Sequence, residues 1–520
     1  MGTNPRPRAV FMAFGTKGDV YPLAAIASAL ASDQEHYHVV FITHAEHQDI
    51  IYHLEAKNVS FLSVTTPSVL SARQFDKLGD SELMSFAMYK TKIKTQHKNE
   101  CLINVAKVFG DDPCLNGDFI AINFFALEGW NIAELYQIDC VVAAPYVVPY
   151  SAPSSFERCF KKELPFLYKY LHEGSANEVC WNDVEHWMWP LFTEEWGTWR
   201  SDCLHLSPLP FMDPVTNLPI WHKRVKSPLL LYGFSKEIVE CPGYWPSNAH
   251  VCGFWFLPPE WHFSCNKCRE ILASTFPRFS IKKNSLCANH TGLQSFLMDE
   301  SSSCLPIFIG LSSIGSMGFI RNPEAFLSVL EVVIKTTFYR FVLFSAGYEP
   351  LDAAINLFIG TSSGSDNPSN LNYGQDCRFL FGGRLLCFSG TVPYMWLFPR
   401  CAAVIHHGGS GASAAALHAG VSQILCPFIL DQFYWAERLC WLGVSPAPLE
   451  RLHLLPENSD AESIKKAADM LIKAINLALS PTMKEQALKI AEILSAEDGV
   501  AEALKILKEQ VINHAGDGLD

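Results

Sequence analysis

The sequence predicts an α/β protein built as two Rossmann-like parallel-sheet halves in series, with a cleft between them. Three observations lead there. The N-terminal stretch alternates strand, Gly-containing loop, helix and strand, which is a βαβ unit and so a parallel sheet. A second alternation of the same kind begins near Pro306 and runs past Pro427. The chain has 520 residues, too many for one compact core, with 49% hydrophobic and 18% charged residues, enough apolar material for two.

In order, Ala9–Phe14 is an apolar strand, Gly15-Thr16-Lys17-Gly18-Asp19 a turn, and Pro22 opens a helix over Leu23–Ala31. His38–Thr43 is β-branched and reads as the next strand, with Phe119–Ile122 and Cys140–Ala143 following. From about Arg158 to Arg200 the pattern is helical and rich in tryptophan. Leu229–Leu231 returns to a strand, and Cys241–Pro259 is irregular. His262–Ser303 has no sheet signal and reads as an extended connection. In the second half, Pro306–Leu311, Phe341–Phe344, Leu385–Phe388, Ala402–Ile405 and Gln423–Pro427 are strands. Pro323–Lys335, Ala412–Ala419 and Ala461–Val511 are helical, and Gly360–Gln375 is a polar loop.

The net charge of −13 excludes the basic footprint of a nucleic-acid binder. Lys90, Lys92, Lys94 and Lys98 form one short basic run, read as a solvated helix face rather than an anionic-membrane contact. The 17 cysteines are odd in number and scattered, and the first 25 residues lack a secretory pattern. No apolar run reaches the roughly 18 residues of a membrane span. The expectation is a cytoplasmic protein with reduced thiols, any membrane contact being peripheral.

The segment that carries chemistry is Val404-Ile405-His406-His407-Gly408-Gly409-Ser410-Gly411-Ala412-Ser413. A strand feeds a Gly-rich turn, which feeds a helix. Glycines let backbone approach a ligand closely, and the helix start presents unpaired N–H groups to an anion. Taken alone, such a turn also fits tight packing without a ligand. The next stretches are Ala419-Gly420-Val421, Cys426-Pro427-Phe428, Asp431-Gln432, Trp435-Ala436 and Leu442-Gly443-Val444. From Val392-Pro393 to Val444 the run resembles the nucleotide-sugar signature of UDP-glycosyltransferases, most of all the sterol 3-beta-glucosyltransferase type and the related bacterial glycopeptide and macrolide transferases. Phe14-Gly15-Thr16-Lys17-Gly18-Asp19-Val20-Tyr21-Pro22 independently resembles that family's N-terminal turn. Leu231–Ser235 and Val251–Leu257 are more loosely similar.

The resemblance implies the GT-B fold, two Rossmann-like domains facing across a cleft. It divides the chain into an acceptor-binding domain at 1–260, a linker at 261–304, a UDP-sugar-binding domain at 305–490 and a C-terminal helix at 491–520 packing back toward the first. It implies an inverting transfer of a hexose, glucose in the first instance, from a UDP-sugar to a sterol or other lipophilic alcohol, with no cofactor or metal required. His407, with His406 beside it, matches the family histidines at the donor diphosphate. Gly409, Ser410, Gly411, Ala412 and Ser413 match its phosphate cradle. Ser312 and Ser313 occupy a second phosphate-side loop, Val392 borders the uracil, and Asp431 and Gln432 match the pair that holds sugar hydroxyls. Gly15 and Thr16 belong to the N-terminal turn on the donor side. Asp19 is the candidate general base, kept ionised by the adjacent helix start, with simple helix capping as the competing role. Lys17 reads as solvated, and His44 as a structural hydrogen-bonder.

The sequence departs from the family pattern at Ala412, at Tyr394-Met395 and at Ser312. These departures motivate a second reading, a catalytically silent sugar-nucleotide or lipid binding protein on the same fold. A UDP-sugar epimerase shares the fold as well. A nicotinamide dehydrogenase is disfavoured because Gly15–Gly18 lacks the G-x-G-x-x-G fingerprint. Trp181–Trp199 offers aromatic faces for a flat acceptor, against the plainer reading of a helical core. Cys265-x2-Cys268, then after eighteen residues Cys287-x2-His290, suits a structural zinc site, against coincidence in a Cys-rich chain.

Overall fold

The computed structural model describes residues 6–68, 80–110, 115–146, 152–193, 195–263, 265–275, 286–299, 304–345, 348–361 and 376–512. They form two compact units, the second running from Leu257 to Glu497 and the first holding most of the preceding chain together with the residues from Asp498. The polar stretch expected to form a loop at 360–375 lies, from 362, outside the described residues.

The first unit is a seven-stranded sheet of β1 (Arg8–Met12), β2 (His38–His44), β3 (Val59–Val64), β4 (Phe119–Ile122), β5 (Asp139–Ala144), β6 (Leu230–Tyr232) and β7 (Ala249–Val251). Its order is β3-β2-β1-β4-β5-β6-β7, and every pairing is parallel. All five residues of β1 and all four of β4 are buried, as a sheet covered on both faces requires. β3 and β7 carry no signal in the local sequence, and the helix face expected around Lys90–Lys98 belongs to a long helix, Asp80–Phe109.

The first helix spans Lys17–Asp33, so Pro22 does not open it but lies inside it. The start is set by Thr16, extended at φ −79° and ψ 174°, and by Asp19 at the third helical position. Pro22 costs the helix only the bond to the Gly18 carbonyl. The last helix, Gly499–Leu507, packs on this first helix. Lys508 pairs with Asp33 at 2.9 Å, and Gln510 Nε2 bonds His250 Nε2 at 2.9 Å. The tryptophans of 181–199 lie in short helices or in the turns between them. Trp181, Trp187, Trp196 and Trp199 are all under 8% exposed, so the segment is core.

The second unit holds β8 (Ile307–Gly310), β9 (Phe341–Phe344), β10 (Cys377–Leu380), β11 (Leu385–Phe388), β12 (Ala403–His406) and β13 (Gln423–Leu425), in the order β10-β11-β9-β8-β12-β13. Its pairings are parallel except β10 against β11 at the edge, a departure from the purely parallel expectation. The stretch read as an extended connection folds onto this sheet through the helices Asn266–Thr275 and Thr291–Leu297. Phe263, Leu293 and Phe296 are buried there against Phe308 and Phe388, a tertiary contact that local sequence could not signal. Among the described residues no helix is long and apolar enough to cross a membrane.

Candidate functional site

In both units the first strand of the alternation is flanked by the second on one side and by a later strand on the other. Strand order therefore reverses between β1 and β4, and again between β8 and β12. Ligands of open α/β sheets bind beyond the carboxyl ends of the strands at such reversal points.

In the second unit His406 is in register with Gly310 of β8 and Leu425 of β13, so three strand ends lie side by side. Past β12 the chain turns through Gly408, at φ +87°, a conformation favouring glycine. The helix Ser410–His418 then starts from Gly409. Its first bond runs from the Ser413 N–H to the Gly409 carbonyl at 3.0 Å. The N–H groups of Ser410, Gly411 and Ala412 thus have no acceptor inside the helix. The His407 ring folds over this start: a Cβ on Gly409 would sit 2.5 Å from His407 Nε2. Any side chain at Gly409 would push the ring away.

His407 is part-exposed, and its Nδ1 is buried with no partner at hydrogen-bonding geometry among the described residues. Burial pushes its pKa down to about 3, the His406 ring adding to the fall and the nearby Gly310 backbone opposing it. The ring is neutral at physiological pH and donates through one nitrogen only. His406 sits differently. Its Nε2 donates to Gln423 Oε1 at 2.8 Å and its Nδ1 accepts from the Gly408 N–H at 3.1 Å. Both ring nitrogens are spent holding the turn, so His406 leaves none for a donor, contrary to the sequence expectation. Burial holds it neutral, with a pKa of about 4.

Ser413 is fully buried, and its hydroxyl makes no hydrogen bond among the described residues, so it does not replace a phosphate-binding hydroxyl lost at Ala412. Ser410 is 8% exposed, while Gly411 and Ala412 face outward more. Ser312 and Ser313 open the short helix beyond β8, Ser313 part-buried. Val392 is buried beside the helix Tyr394–Leu397. Tyr394 stacks on Phe398 at 4.6 Å, with its hydroxyl 3.6 Å from where a Cβ on Gly310 would lie. Beyond β13, Asp431 immediately precedes the helix Gln432–Trp441, and its carboxylate accepts from Trp435 Nε1 at 3.1 Å. Gln432 Oε1 accepts from the Phe428 and Ile429 N–H groups at 2.9 and 3.1 Å. A Cβ on Gly408 would lie 3.0 Å from the Gln432 carbonyl, which brings this segment against the His407 turn.

In the first unit Gly15 has φ +105°, and a Cβ there would meet Asp19 Oδ2 at 2.6 Å. The Thr16 N–H and hydroxyl donate to that same oxygen at 2.7 and 2.8 Å. Among the described residues Asp19 Oδ1 takes no hydrogen bond. Asp19 does cap its helix, and the capping leaves one oxygen over. Its pKa is raised to about 6, because burial outweighs the two Thr16 bonds that lower it. This corrects the expected balance, in which the helix start dominated. The turn is stapled from both neighbouring strands. Asn123, after β4, bonds the Phe14 N–H and carbonyl at 3.3 and 2.8 Å and the Asp19 carbonyl at 3.3 Å. His47, after β2, bonds the Gly15 carbonyl at 2.9 Å.

The sequence reading missed Asn123 and His47. The signal available was their place just past a strand end. Phe124 and Phe125 follow Asn123, Phe125 42% exposed, and Phe124 lies 6.0 Å from the Tyr146 ring and 6.1 Å from Trp187. His44 bonds the Thr66 carbonyl at 2.7 Å, a structural role. Lys17 is exposed and pairs with Asp49 at 3.4 Å. Cys265, Cys268, Cys287 and His290 come together in the second unit, all their ligand atoms within 4.8 Å of one another.

Two parallel-dominated sheets of this order, each with a tight turn at its reversal point, define a GT-B protein of the glycosyltransferase fold. The structure of the glycotransferase of kitacinnamycin superposes with a TM-score of 0.57, covering 98% of this chain and 100% of that one at 13% identity, a likeness of fold. Residues 385–509 match the family described as Erythromycin biosynthesis protein CIII-like, C-terminal domain. The chain is 24% identical over 96% of its length to a sterol 3-beta-glucosyltransferase of Arabidopsis thaliana. It is 24% identical, again over 96%, to a sterol 3-beta-glucosyltransferase of Candida albicans. It spans 67% of the plant relative and 27% of the yeast one. The resemblance seen at the two motifs thus extends along nearly the whole chain.

Proposed function

We propose that this protein transfers a hexosyl group, glucose in the first instance, from a UDP-sugar to the hydroxyl of a sterol or other lipophilic alcohol. The observation that carries the reading is the turn after β12. There three helix-start amides without intrahelical acceptors lie beside a neutral His407 at the strand-order reversal. Amides and a ring N–H aimed at one place stabilise the charge that develops on a departing diphosphate.

The second unit holds the donor, with Ser313 and the amides of Ser410, Gly411 and Ala412 on the phosphates, Val392 toward the base, and Asp431 on the sugar. Gln432 serves chiefly by shaping the 428–430 loop. From the first unit, Asp19 takes the acceptor proton on Oδ1 as the acceptor oxygen bonds to the anomeric carbon. The bond from that carbon to the diphosphate oxygen breaks in the same step, and UDP leaves with inversion. Phe124 and Phe125 supply apolar surface for a flat acceptor near Asn123. Peripheral membrane contact belongs to the same reading, through the exposed apolar side chains Met88 and Tyr89.

The test is a donor-by-acceptor product screen by mass spectrometry, with Asp19→Asn and His407→Ala as controls. A glycosylated alcohol formed by the wild type and lost in both variants is the expected result. Equal product in both variants, or donor binding without turnover across all acceptors, would overturn it.

A further inference from the structure

We propose that Cys265, Cys268, Cys287 and His290 bind one structural zinc ion in the second unit. The distances among their ligand atoms fit a single tetrahedral ion. With metal–sulfur bonds of about 2.3 Å and a metal–nitrogen bond of about 2.0 Å, tetrahedral geometry requires roughly 3.8 Å between sulfurs and 3.5 Å from sulfur to nitrogen. Cys265 Sγ and Cys287 Sγ lie 3.6 Å apart. His290 Nδ1 is 3.3 Å from Cys268 Sγ and 3.4 Å from Cys287 Sγ. Four separate side chains converging on these separations are costly to assemble unless something at their centre binds all four.

The surroundings are those of a metal ligand set. The other ring nitrogen of His290, Nε2, lies 3.4 Å from Asp376 Oδ2. A carboxylate there fixes the tautomer that leaves Nδ1 free to ligate, and raises its basicity. The Cys287 N–H points to Cys268 Sγ at 3.4 Å, an interaction that a thiolate accepts better than a thiol. Cys268, Cys287 and His290 are each under 6% exposed, and the Phe388 ring stands edge-on to His290 at 5.8 Å. Three thiolates and one imidazole make a soft, closed set with no position left for water, which selects a structural zinc over a catalytic one. Such an ion ties the start of the helix Asn266–Thr275 to the turn before Thr291–Leu297 and, through Asp376, to the start of β10. It does locally what a disulfide does in an oxidising compartment.

The experiment uses the full chain, purified without chelator and dialysed against metal-free buffer. Elemental analysis should give about one zinc per chain, unchanged by Cys203→Ser outside the cluster and lost in Cys265→Ser and His290→Gln. Asp376→Asn, which touches no ligand atom of the metal, should keep zinc but weaken its affinity by about 10–100-fold. Should the ligand variants fail to fold, cobalt exchanged into the wild type reads the same site. Intense thiolate-to-metal charge transfer and tetrahedral visible bands are expected there. Zinc-free wild type, a cobalt spectrum without those bands, a different stoichiometric metal, or a Cys265–Cys287 disulfide in the native protein would each overturn the proposal.

Discussion

Asp19 gives the sharpest quantitative expectation. Burial raises its carboxyl from 3.8 to about 6, against the two bonds from Thr16. A general base works only when ionised, so kcat/KM with saturating donor should follow its ionised fraction. With a pKa of about 6 that fraction is about 0.9 at pH 7 and about 0.1 at pH 5, a tenfold fall. An unshifted carboxylate would lose only about 6% of activity over the same interval. Thr16→Val removes one of the bonds that lower the pKa, so the acid limb should move upward.

Stability responds in the opposite sense. A carboxylate whose folded pKa is raised penalises the fold when ionised. The penalty is absent below the unfolded value of 3.8 and fully present above about 6, where it is on the order of 3 kcal/mol or less. Asp19→Asn keeps an oxygen for Thr16 and removes the buried charge, so at pH 8 it should unfold at a higher temperature than the wild type while being inactive. Initial rates from pH 4.5 to 8, beside thermal melts, measure both. An acid limb centred near pH 4, or one that survives in Asp19→Asn, would refute the assignment.

Three further outcomes follow from the second unit. His407→Ala should lower kcat/KM by about 10²–10³-fold, as loss of one donor to a developing anion does, leaving the shape of the pH–rate curve unchanged because the ring, with a pKa of about 3, does not titrate there. Gly409→Ala places a carbon 2.5 Å from His407 Nε2 and should come within about tenfold of that loss through ring displacement, with a bound-donor structure showing the ring moved. Gln432→Leu deprives two backbone N–H groups of their acceptor, and should lower the stability of the second unit by on the order of 2 kcal/mol in denaturant titration; a change below about 0.5 kcal/mol would contradict the role given to that side chain.

Strands that are apolar along their whole length announce themselves, because both faces of a parallel sheet are covered and every residue must be buried. β4 and β9 were therefore legible to the residue, and β12 to within one. β3, with exposed Ser60 and Ser63 breaking its apolar run, was not. The helix boundary at Lys17 was misplaced because Pro22 is a stronger local signal than a cap whose acceptor is three residues away.

The sequence by itself determined the two-sheet α/β class, the turns at Gly15 and Gly408 and the Cys-x2-Cys…Cys-x2-His spacing, since each is set by side-chain chemistry repeating over short distances. Only the tertiary structure decided that His406 is spent on Gln423 while His407 is not, that burial rather than the helix start governs Asp19, and that Asp376 stands behind His290. Those outcomes depend on which distant strand end lies alongside and how much water it excludes, and neither is written in any local run of residues.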